Sequence, residues 1–165
     1  MDLDVASALL RAVLGVVFVA HGWNHGFGPG GLDGTAGWFD SIGLRPARVQ
    51  AAVSSYLEIA VGAALLLGLA TPFAAAAGIG VMTTAFVTVH RPNGFFIVRE
   101  GYEYVLVVAV ALAALASLGP GRWSLDHALD LVADGWPVAL ATAVVGVAGS
   151  AAMLAVCWRP ERTSD

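Results

Sequence analysis

Five long apolar runs, almost free of charge, divide the chain at about residues 5–24, 50–69, 73–90, 102–118 and 137–157. Each run is close to the roughly 17–25 residues that a helix needs to cross the hydrocarbon of a bilayer. Backbone groups in lipid must be hydrogen-bonded internally, and the runs lack the alternation of barrel strands, so they predict helices. We therefore expect an all-α integral membrane protein with five transmembrane segments.

Composition supports this class and excludes several others. Only 12% of the 165 residues are charged, against roughly 25% in a soluble domain, and the mean hydropathy is +0.79. All eight cations are arginines and form no basic stripe suited to nucleic acid. The single cysteine, Cys157, rules out an internal disulfide and Cys-x-x-Cys chemistry. Because the first run follows the acidic start Met1–Asp4, we interpret it as a retained helix rather than a cleaved signal.

Turn-forming residues mark the ends of the segments. Thr71 is suited to cap the third helix with Pro72 at its first position, which makes helices two and three a tight hairpin. Pro137 predicts the start of the fifth helix, and Gly119-Pro120-Gly121 ends the fourth. The tryptophans fall at predicted helix ends or in loops, as expected where lipid meets water: Trp23, Trp38, Trp123, Trp136 and Trp158. Small residues four apart predict close helix packing: Ala64/Gly68, Ala74/Gly78, Ala76/Gly80 and Gly146/Ser150.

Two connections predict short helices that lie in the membrane interface. In the connection 27–49, Trp38, Phe39 and Ile42 share one helical face. In the connection 123–136, Ser124 is suited to cap a second interfacial helix. The apolar face of that helix opposes an acidic face that we expect to meet water: Asp126, Asp130 and Asp134.

Arginines are distributed unevenly between the ends of the segments. One side carries six of them: Arg45, Arg48, Arg91, Arg99, Arg159 and Arg162. Because arginine-rich loops stay in the cytoplasm, we expect a multi-pass protein of the inner cell membrane, with its N-terminus outside and its C-terminus cytoplasmic. Arg11, inside the first run, is expected to snorkel to the outer headgroups; the alternative is a buried partner for a carboxylate.

Glu58 lies well inside the second apolar run, with no Lys or Arg within seven residues on either side. A charge at that depth costs a few kcal/mol or more to insert, so it usually faces the protein interior and finds a partner. Histidines, a glutamate and tyrosines at the ends of the other helices occupy the same leaflet. We therefore predict one shared polar ligand site, formed by His21, Glu58, His90, Tyr102, Glu103 and Tyr104.

Three interpretations of this cluster stay open. The ionisable groups satisfy one another and fix the bundle, or they bind a polar headgroup and relay protons, or they ligate zinc or iron. The spacing matches no metal signature, so we predict no metal, and no catalytic residue can be assigned. The segment Asn93-Gly94-Phe95-Phe96 is expected to fold over the site as a lid; the alternative is an ordinary loop anchored in lipid.

The same stretches resemble the DoxX family of small bacterial membrane proteins. The matching pieces span about residues 8–127 and are, in chain order, Arg11…Leu14-Gly15…Phe18…His21-Gly22, Gly31-Leu32…Thr35-Ala36…Phe39…Gly43-Leu44, Glu58-Ile59…Gly62, Gly68-Leu69…Thr71-Pro72, His90…Asn93-Gly94-Phe95-Phe96, Gly101-Tyr102-Glu103-Tyr104, and Gly119-Pro120-Gly121-Arg122…Ser124-Leu125-Asp126. Two features depart from the family pattern. The family often has a lysine a few residues after the His-Gly pair, where this chain has His25, and the helix 137–157 lies beyond the usual core.

The resemblance implies a four-helix membrane bundle over residues 1–127. Residues 128–165 then add the end of the interfacial helix, a fifth C-terminal transmembrane helix and a short charged tail. Family members are associated with thiosulfate:quinone oxidoreductase subunits, and a mycobacterial relative is described as assembling with a superoxide dismutase and a sulfurtransferase. We therefore expect a membrane subunit of a redox system that binds a quinone or similar apolar molecule at the His/Glu cluster.

The alternative function is a non-catalytic membrane anchor or assembly factor whose six-arginine side docks partner proteins. A small proton-coupled carrier ranks last, because no inverted repeat is visible. No haem or flavin motif is visible, so the sequence leaves open whether the chain is itself an enzyme. In each case we expect it to lie in a lipid bilayer, with protein partners in a membrane complex or as a homo-oligomer.

Overall fold

The structure is a computed structural model that describes residues 1–160, and within them it is α-helical without a regular strand. The helices are α1 (Asp2–Phe27), α2 (Gly31–Ser41), α3 (Ala47–Leu67), α4 (Thr71–Ala85), α5 (Glu103–Leu118), α6 (Leu125–Ala128) and α7 (Trp136–Cys157). A π-helical turn, Phe86–His90, and a 3-10 turn, Arg91–Asn93, extend α4. A second 3-10 turn, Ile97–Arg99, lies in the connection to α5.

The five apolar helices occupy the positions predicted from the sequence and confirm the all-α membrane architecture. Four are long and apolar enough to cross a membrane: Asp2–Phe27, Ala47–Leu67, the stretch Thr71–Asn93, and Trp136–Cys157. The remaining one, α5, is a shorter apolar helix of 16 residues, because Gly119 ends it with a φ of +81°. At 1.5 Å per residue α5 is about 24 Å long, somewhat less than the hydrocarbon thickness.

The helices form a bundle with two polar ends. α1 packs along α3, and α4 contacts α3, α5 and α7. The main core lies among these helices and includes Phe18, Val61, Leu65, Leu112 and Leu115. We call one end the Arg-rich end, because it carries Arg45, Arg48, Arg91, Arg99 and Arg159; Arg162, predicted to join them, lies outside the described residues. The opposite end, which holds the start of α1 and the connection between α5 and α7, is the N-terminal end.

Glycines allow two helix pairs to approach closely. A Cβ built on Gly62 of α3 would lie 2.5 Å from the carbonyl oxygen of Gly15 on α1. A Cβ on Gly146 of α7 would lie 2.4 Å from the carbonyl oxygen of Ala76 on α4. The contact between α4 and α7 confirms the close packing expected at Ala76/Gly80 and Gly146/Ser150, whereas the Gly15–Gly62 contact was not predicted.

Arg11 is buried at the N-terminal end, so the prediction that it snorkels to the headgroups is wrong. Its side chain is 3% exposed. Nη2 donates to the carbonyl oxygen of Trp123 at 2.6 Å, and Nη1 donates to the carbonyl oxygens of Leu65 and Leu66, both at 3.3 Å. The guanidinium therefore caps the C-terminal end of α3, where the Leu65 carbonyl oxygen also accepts a hydrogen bond from the Gly68 N–H.

Asp126 is also buried, so the water-facing position predicted for it is wrong. It is 1% exposed, and its carboxylate accepts hydrogen bonds from the backbone N–H groups of Ala70 at 2.6 Å and Thr71 at 2.9 Å. Ala70, not Thr71, is the N-cap position of α4, and the capping oxygens come from Asp126. Asp126 also attracts the Arg11 guanidinium electrostatically. The two residues tie the α3–α4 hairpin to α1 and α6.

The interfacial helices were predicted with mixed success. α2 forms where expected and buries Phe39, while Trp38 stays exposed. Ser124 caps α6 as predicted, since its Oγ accepts a hydrogen bond from the His127 N–H at 3.2 Å. However, α6 is only four residues long, and the chain turns away from a longer helix at Asp130, which has a φ of +54°.

Candidate functional site

Glu58 is buried about halfway along α3. It is 2% exposed and lies 11 residues after Ala47, about 16 Å along the helix. Ser54, one turn earlier, donates a hydrogen bond from Oγ to Glu58 Oε1 at 2.6 Å. Nδ1 of His25 lies 3.3 Å from the same carboxylate oxygen and 3.4 Å from Ser54 Oγ. A carboxylate inside an apolar helix thus has a hydroxyl and an imidazole as immediate partners.

The crossing of α1 over α3 places His25 next to Glu58. Ser55 Oγ donates to the carbonyl oxygen of Gly22 at 2.7 Å, and a Cβ on Gly26 would lie 2.3 Å from the same hydroxyl. This close approach requires glycine on α1. On the other side, Thr35 Oγ1 of α2 donates to the carbonyl oxygen of His25 at 2.7 Å. His25 is therefore held from both neighbouring helices.

A cleft of about 430 Å³ opens beside Glu58, and its walls come mainly from α2, α3, α4 and α7. We call it the Glu58 cleft. Along α4 and the π-helical turn the lining runs from Phe73 to Val89, which is about 24 Å at 1.5 Å per residue. A second cavity shares Phe73, Ala76 and Val145 with it and continues the groove toward the N-terminal end. Most of the lining is apolar, and its polar members are His25, Gln50, Ser54, Glu58, Thr84, Thr88 and Ser150.

Hydroxyl groups line the wall formed by α4 and α7. Thr84 Oγ1 donates to the carbonyl oxygen of Gly80 at 3.0 Å, and Thr88 Oγ1 donates to the carbonyl oxygen of Thr84 at 2.9 Å. Ser150 Oγ of α7 lies 2.8 Å from Thr84 Oγ1. The π-helical turn begins two residues after Thr84. Such turns inside helices occur frequently at functional sites.

Sequence relatives identify the family. The DoxX family model matches residues 6–91. The uncharacterized membrane protein Rv3486 of Mycobacterium tuberculosis is 32% identical over 131 residues, which cover 73% of this chain and 79% of that protein. The chain belongs to the DoxX family. No solved structure matches it.

The DoxX match covers only part of the Glu58 cleft. It includes α1 from residue 6 onward, α2, α3, α4 and the π-helical turn, and so it includes His25, Ser54 and Glu58. The wall contributed by α7, with Ser150, lies beyond the match. The C-terminal helix of this DoxX protein is therefore part of the cleft rather than an appendage to it.

Two of the predicted site residues, His21 and Tyr104, lie outside the lining of the Glu58 cleft. His21 is exposed and stacks against Tyr104 of α5, with ring centroids 6.1 Å apart. The Tyr104 hydroxyl interacts electrostatically with Glu58.

Three other predicted residues hold the connection between α4 and α5. His90 Nδ1 lies 2.6 Å from the carbonyl oxygen of Glu100, and Glu103 Oε2 accepts a hydrogen bond from the Ile97 N–H at 3.0 Å. Tyr102 packs edge-on against Phe86, with ring centroids 5.2 Å apart. Among residues 1–160, no hydrogen bond or ion pair joins Glu58 to His21, His90 or Glu103. That the six residues bind one ligand together stays a prediction.

The predicted lid lies within this connection. Asn93 Nδ2 donates to the carbonyl oxygen of Glu100 at 3.3 Å, Gly94 has a φ of +77°, and Phe95 packs edge-on against Phe96 and Tyr102. None of Asn93, Gly94, Phe95 and Phe96 lines the Glu58 cleft, so closure of a lid stays a prediction.

Sequence reasoning missed His25 and Ser54 as partners of Glu58. Ser54 carries a visible signal, because a residue four positions before Glu58 lies on the same helical face. His25 continues the buried stripe of α1 that includes Leu14, Phe18 and Gly22. Within the described part of the chain, no three His, Cys, Asp or Glu side chains are grouped to hold a metal ion.

Proposed function

We propose that this DoxX protein is the membrane subunit of a redox system and binds a quinone or a similar apolar small molecule in the Glu58 cleft. The observation that supports this most strongly is a carboxylate, 2% exposed and partnered by Ser54 and His25, in the wall of an apolar cleft. Ligand sites are typically apolar clefts of roughly 300–1,000 Å³ with a few convergent polar groups. The Glu58 cleft, at about 430 Å³, fits this description.

The shape of the cleft suits a polar head with an apolar tail. In the proposed complex the head group meets Glu58, and the tail lies along α4 between α3 and α7. Alanine and glycine side chains line this path: Ala76, Ala77, Gly80, Gly146 and Gly149. They leave room for a chain-like ligand at the level of the lipid tails.

The partners of Glu58 suit proton exchange with the Arg-rich end. The side chain of His25 is 18% exposed, whereas that of Glu58 is 3% exposed, so the imidazole lies between the carboxylate and the outside. A histidine beside a carboxylate is an arrangement typical of proton transfer. A quinone that gains or loses electrons also exchanges protons at its head group. In this proposal the electrons come from a partner protein.

Binding measurements on a Glu58→Leu variant test the proposal. The protein is reconstituted in lipid nanodiscs, and the Kd of a benzoquinone with a decyl tail and of its hydroquinone is measured. A hydrogen bond to a charged group contributes about 1.5–3 kcal/mol, so Glu58→Leu is expected to weaken binding about 10- to 100-fold for the form that binds better. Glu100→Gln, an exposed position outside the cleft, is the matched control. Equal binding by wild type and Glu58→Leu would contradict the proposal.

A second candidate function, an anchor for partner proteins, is favoured by the surface of the Arg-rich end. Val98 is 88% exposed, and Phe96 and Ile97 beside it are exposed as well. Arg91 and Arg99 flank this segment and form no ion pair with residues 1–160. An apolar tip flanked by these two arginines suits a partner with apolar and acidic groups. A photoreactive amino acid at position 97 is expected to crosslink a protein in native membranes, and purely lipid adducts would count against this function.

We also propose that the Arg-rich end faces the cytoplasm of the inner membrane, because Lys/Arg bias sets orientation. Single cysteines at Val98 and Ala133, in a Cys157→Ser background, report the two ends. A membrane-impermeant maleimide added to intact cells is expected to label position 133 and not position 98. The opposite labelling would reverse the proposed orientation.

A further inference from the structure

We infer that the Glu58 cleft, with Glu58 ionised and His25 neutral, selects a ligand whose head group donates a hydrogen bond, so that a hydroquinone binds more tightly than the corresponding quinone. This inference rests on the proposed function and names the form of the ligand that the site takes. It follows from the positions of the hydrogen atoms in the wall of the cleft. A hydroxyl head group both donates and accepts, whereas a quinone carbonyl only accepts.

The hydrogen atoms of the groups around Glu58 Oε1 already take part in hydrogen bonds within the protein. Ser54 has one hydroxyl hydrogen, and its 2.6 Å contact directs that hydrogen to Oε1. Nδ1 of His25 faces Ser54 Oγ at 3.4 Å and Oε1 at 3.3 Å, and both oxygens present lone pairs in that direction. In the neutral ring, this arrangement places the hydrogen on Nδ1 and makes Nε2 the acceptor.

The second oxygen of Glu58, Oε2, accepts no hydrogen bond from any residue between 1 and 160. It is not sealed inside the protein, and Glu58 lines the cleft. A carboxylate oxygen can only accept. A head group beside Oε2 is therefore bound well if it brings an O–H and poorly if it brings a carbonyl oxygen.

The opposite wall offers no compensating O–H group. The hydrogen of Thr84 goes to the carbonyl oxygen of Gly80, and the hydrogen of Thr88 goes to the carbonyl oxygen of Thr84. Since Thr84 has no second hydrogen, Ser150 is the donor in their 2.8 Å contact. These hydroxyls therefore present lone pairs to the cleft, as Oε2 does.

The remaining donors of the lining lie at the mouth of the cleft. Gln50 is eight residues before Glu58 on α3, about 12 Å along the helix, and Trp38 belongs to the interfacial helix α2. Gln50 therefore lies about two turns of α3 nearer the Arg-rich end than Glu58. The polar groups of the cleft wall beside Glu58 therefore offer hydrogen-bond acceptors to a ligand.

The test compares the two redox forms of one probe. Wild type in lipid nanodiscs is titrated, without oxygen, with a decyl benzoquinone and with the hydroquinone obtained from it by reduction. The hydroquinone is expected to bind about 10- to 100-fold more tightly, because one hydrogen bond to a charged group distinguishes the two forms. Glu58→Gln adds an amide N–H that can donate to a carbonyl, so the ratio of the two Kd values is expected to fall to about one or to invert. Glu100→Gln is expected to keep the wild-type ratio.

The possible results distinguish a failure of this inference from a failure of the proposed function. Equal or tighter binding of the quinone by wild type overturns the inference and leaves the proposed function standing. Absence of binding by both forms overturns both. A preference for hydroquinone that persists unchanged in Glu58→Gln overturns the assignment to Oε2. The wild-type ratio decides the main point even when the Glu58→Gln variant does not fold.

Discussion

Replacing Asp126 with alanine tests whether this residue holds the N-terminal end of the bundle together. Its carboxylate caps α4 through the N–H groups of Ala70 at 2.6 Å and Thr71 at 2.9 Å. Loss of a cap costs about 1 kcal/mol, and each hydrogen bond to a charged group contributes about 1.5–3 kcal/mol. The two estimates describe the same two hydrogen bonds and cannot simply be added. We therefore expect Asp126→Ala to lower the free energy of unfolding by about 3–4 kcal/mol. Asp126→Asn keeps one acceptor oxygen and is expected to cost about half as much.

The assay is reversible unfolding in mixed micelles, with the helical circular dichroism signal followed as SDS is titrated. Asp134→Ala is the matched control, because Asp134 lies in the same connection, is exposed, and forms no hydrogen bond with residues 1–160. Its effect is expected to stay within about 0.5 kcal/mol. If Asp126→Ala were no less stable than Asp134→Ala, the capping role derived from the geometry would be refuted. Ligand binding at the Glu58 cleft should persist in Asp126→Asn.

Three further changes test the packing and the cleft. Gly149→Leu is expected to block ligand binding without loss of stability, because a Cβ there meets no atom within 4 Å while the residue lines the cleft; Gly37→Leu, equally open and outside the cleft, should bind normally. Gly62→Ala is expected to cost about 1–3 kcal/mol in the SDS titration, because its Cβ would lie 2.5 Å from a backbone oxygen of α1, and wild-type stability would contradict that crossing. Trp158→Phe removes an indole hydrogen bond of 2.9 Å to a backbone carbonyl, and a loss of about 1 kcal/mol is expected; no change in unfolding would argue against this contact.

The course of the helices was predictable because lipid imposes a strict rule on apolar segments. A run of about 20 apolar residues must be helical, and turn residues such as Gly119 mark where it stops. The helix ends were less predictable where a distant residue supplies the cap. Asp126 caps α4 from 55 residues away, and its electrostatic attraction for Arg11 connects residues 115 positions apart. Neither relation has a local pattern.

Only part of the candidate site was predictable: the sequence identified Glu58 but not its partners. Hydropathy and charge identified Glu58, because a carboxylate inside an apolar run is costly and rare. The depth of a residue in the membrane follows from its position in the run, but its direction depends on the rotation of each helix. His21 and His25 differ by about 40° around the axis of α1 and by about 6 Å along it. This small difference places His25 against Glu58 and His21 against Tyr104.

The end of α7 is fastened to the segment between α2 and α3. Arg45 N–H donates to the carbonyl oxygen of Cys157 at 2.7 Å, Arg159 N–H donates to that of Gly43 at 2.7 Å, and the Trp158 indole donates to that of Ile42 at 2.9 Å. These three hydrogen bonds, together worth about 2–4 kcal/mol, act as a clasp across the Arg-rich end. Because α2, α3 and α7 line the cleft, this clasp keeps these walls from separating at the Arg-rich end. Under the proposed function, we therefore expect the ligand to reach Glu58 from the plane of the bilayer, where an apolar molecule dissolves, rather than through the Arg-rich end.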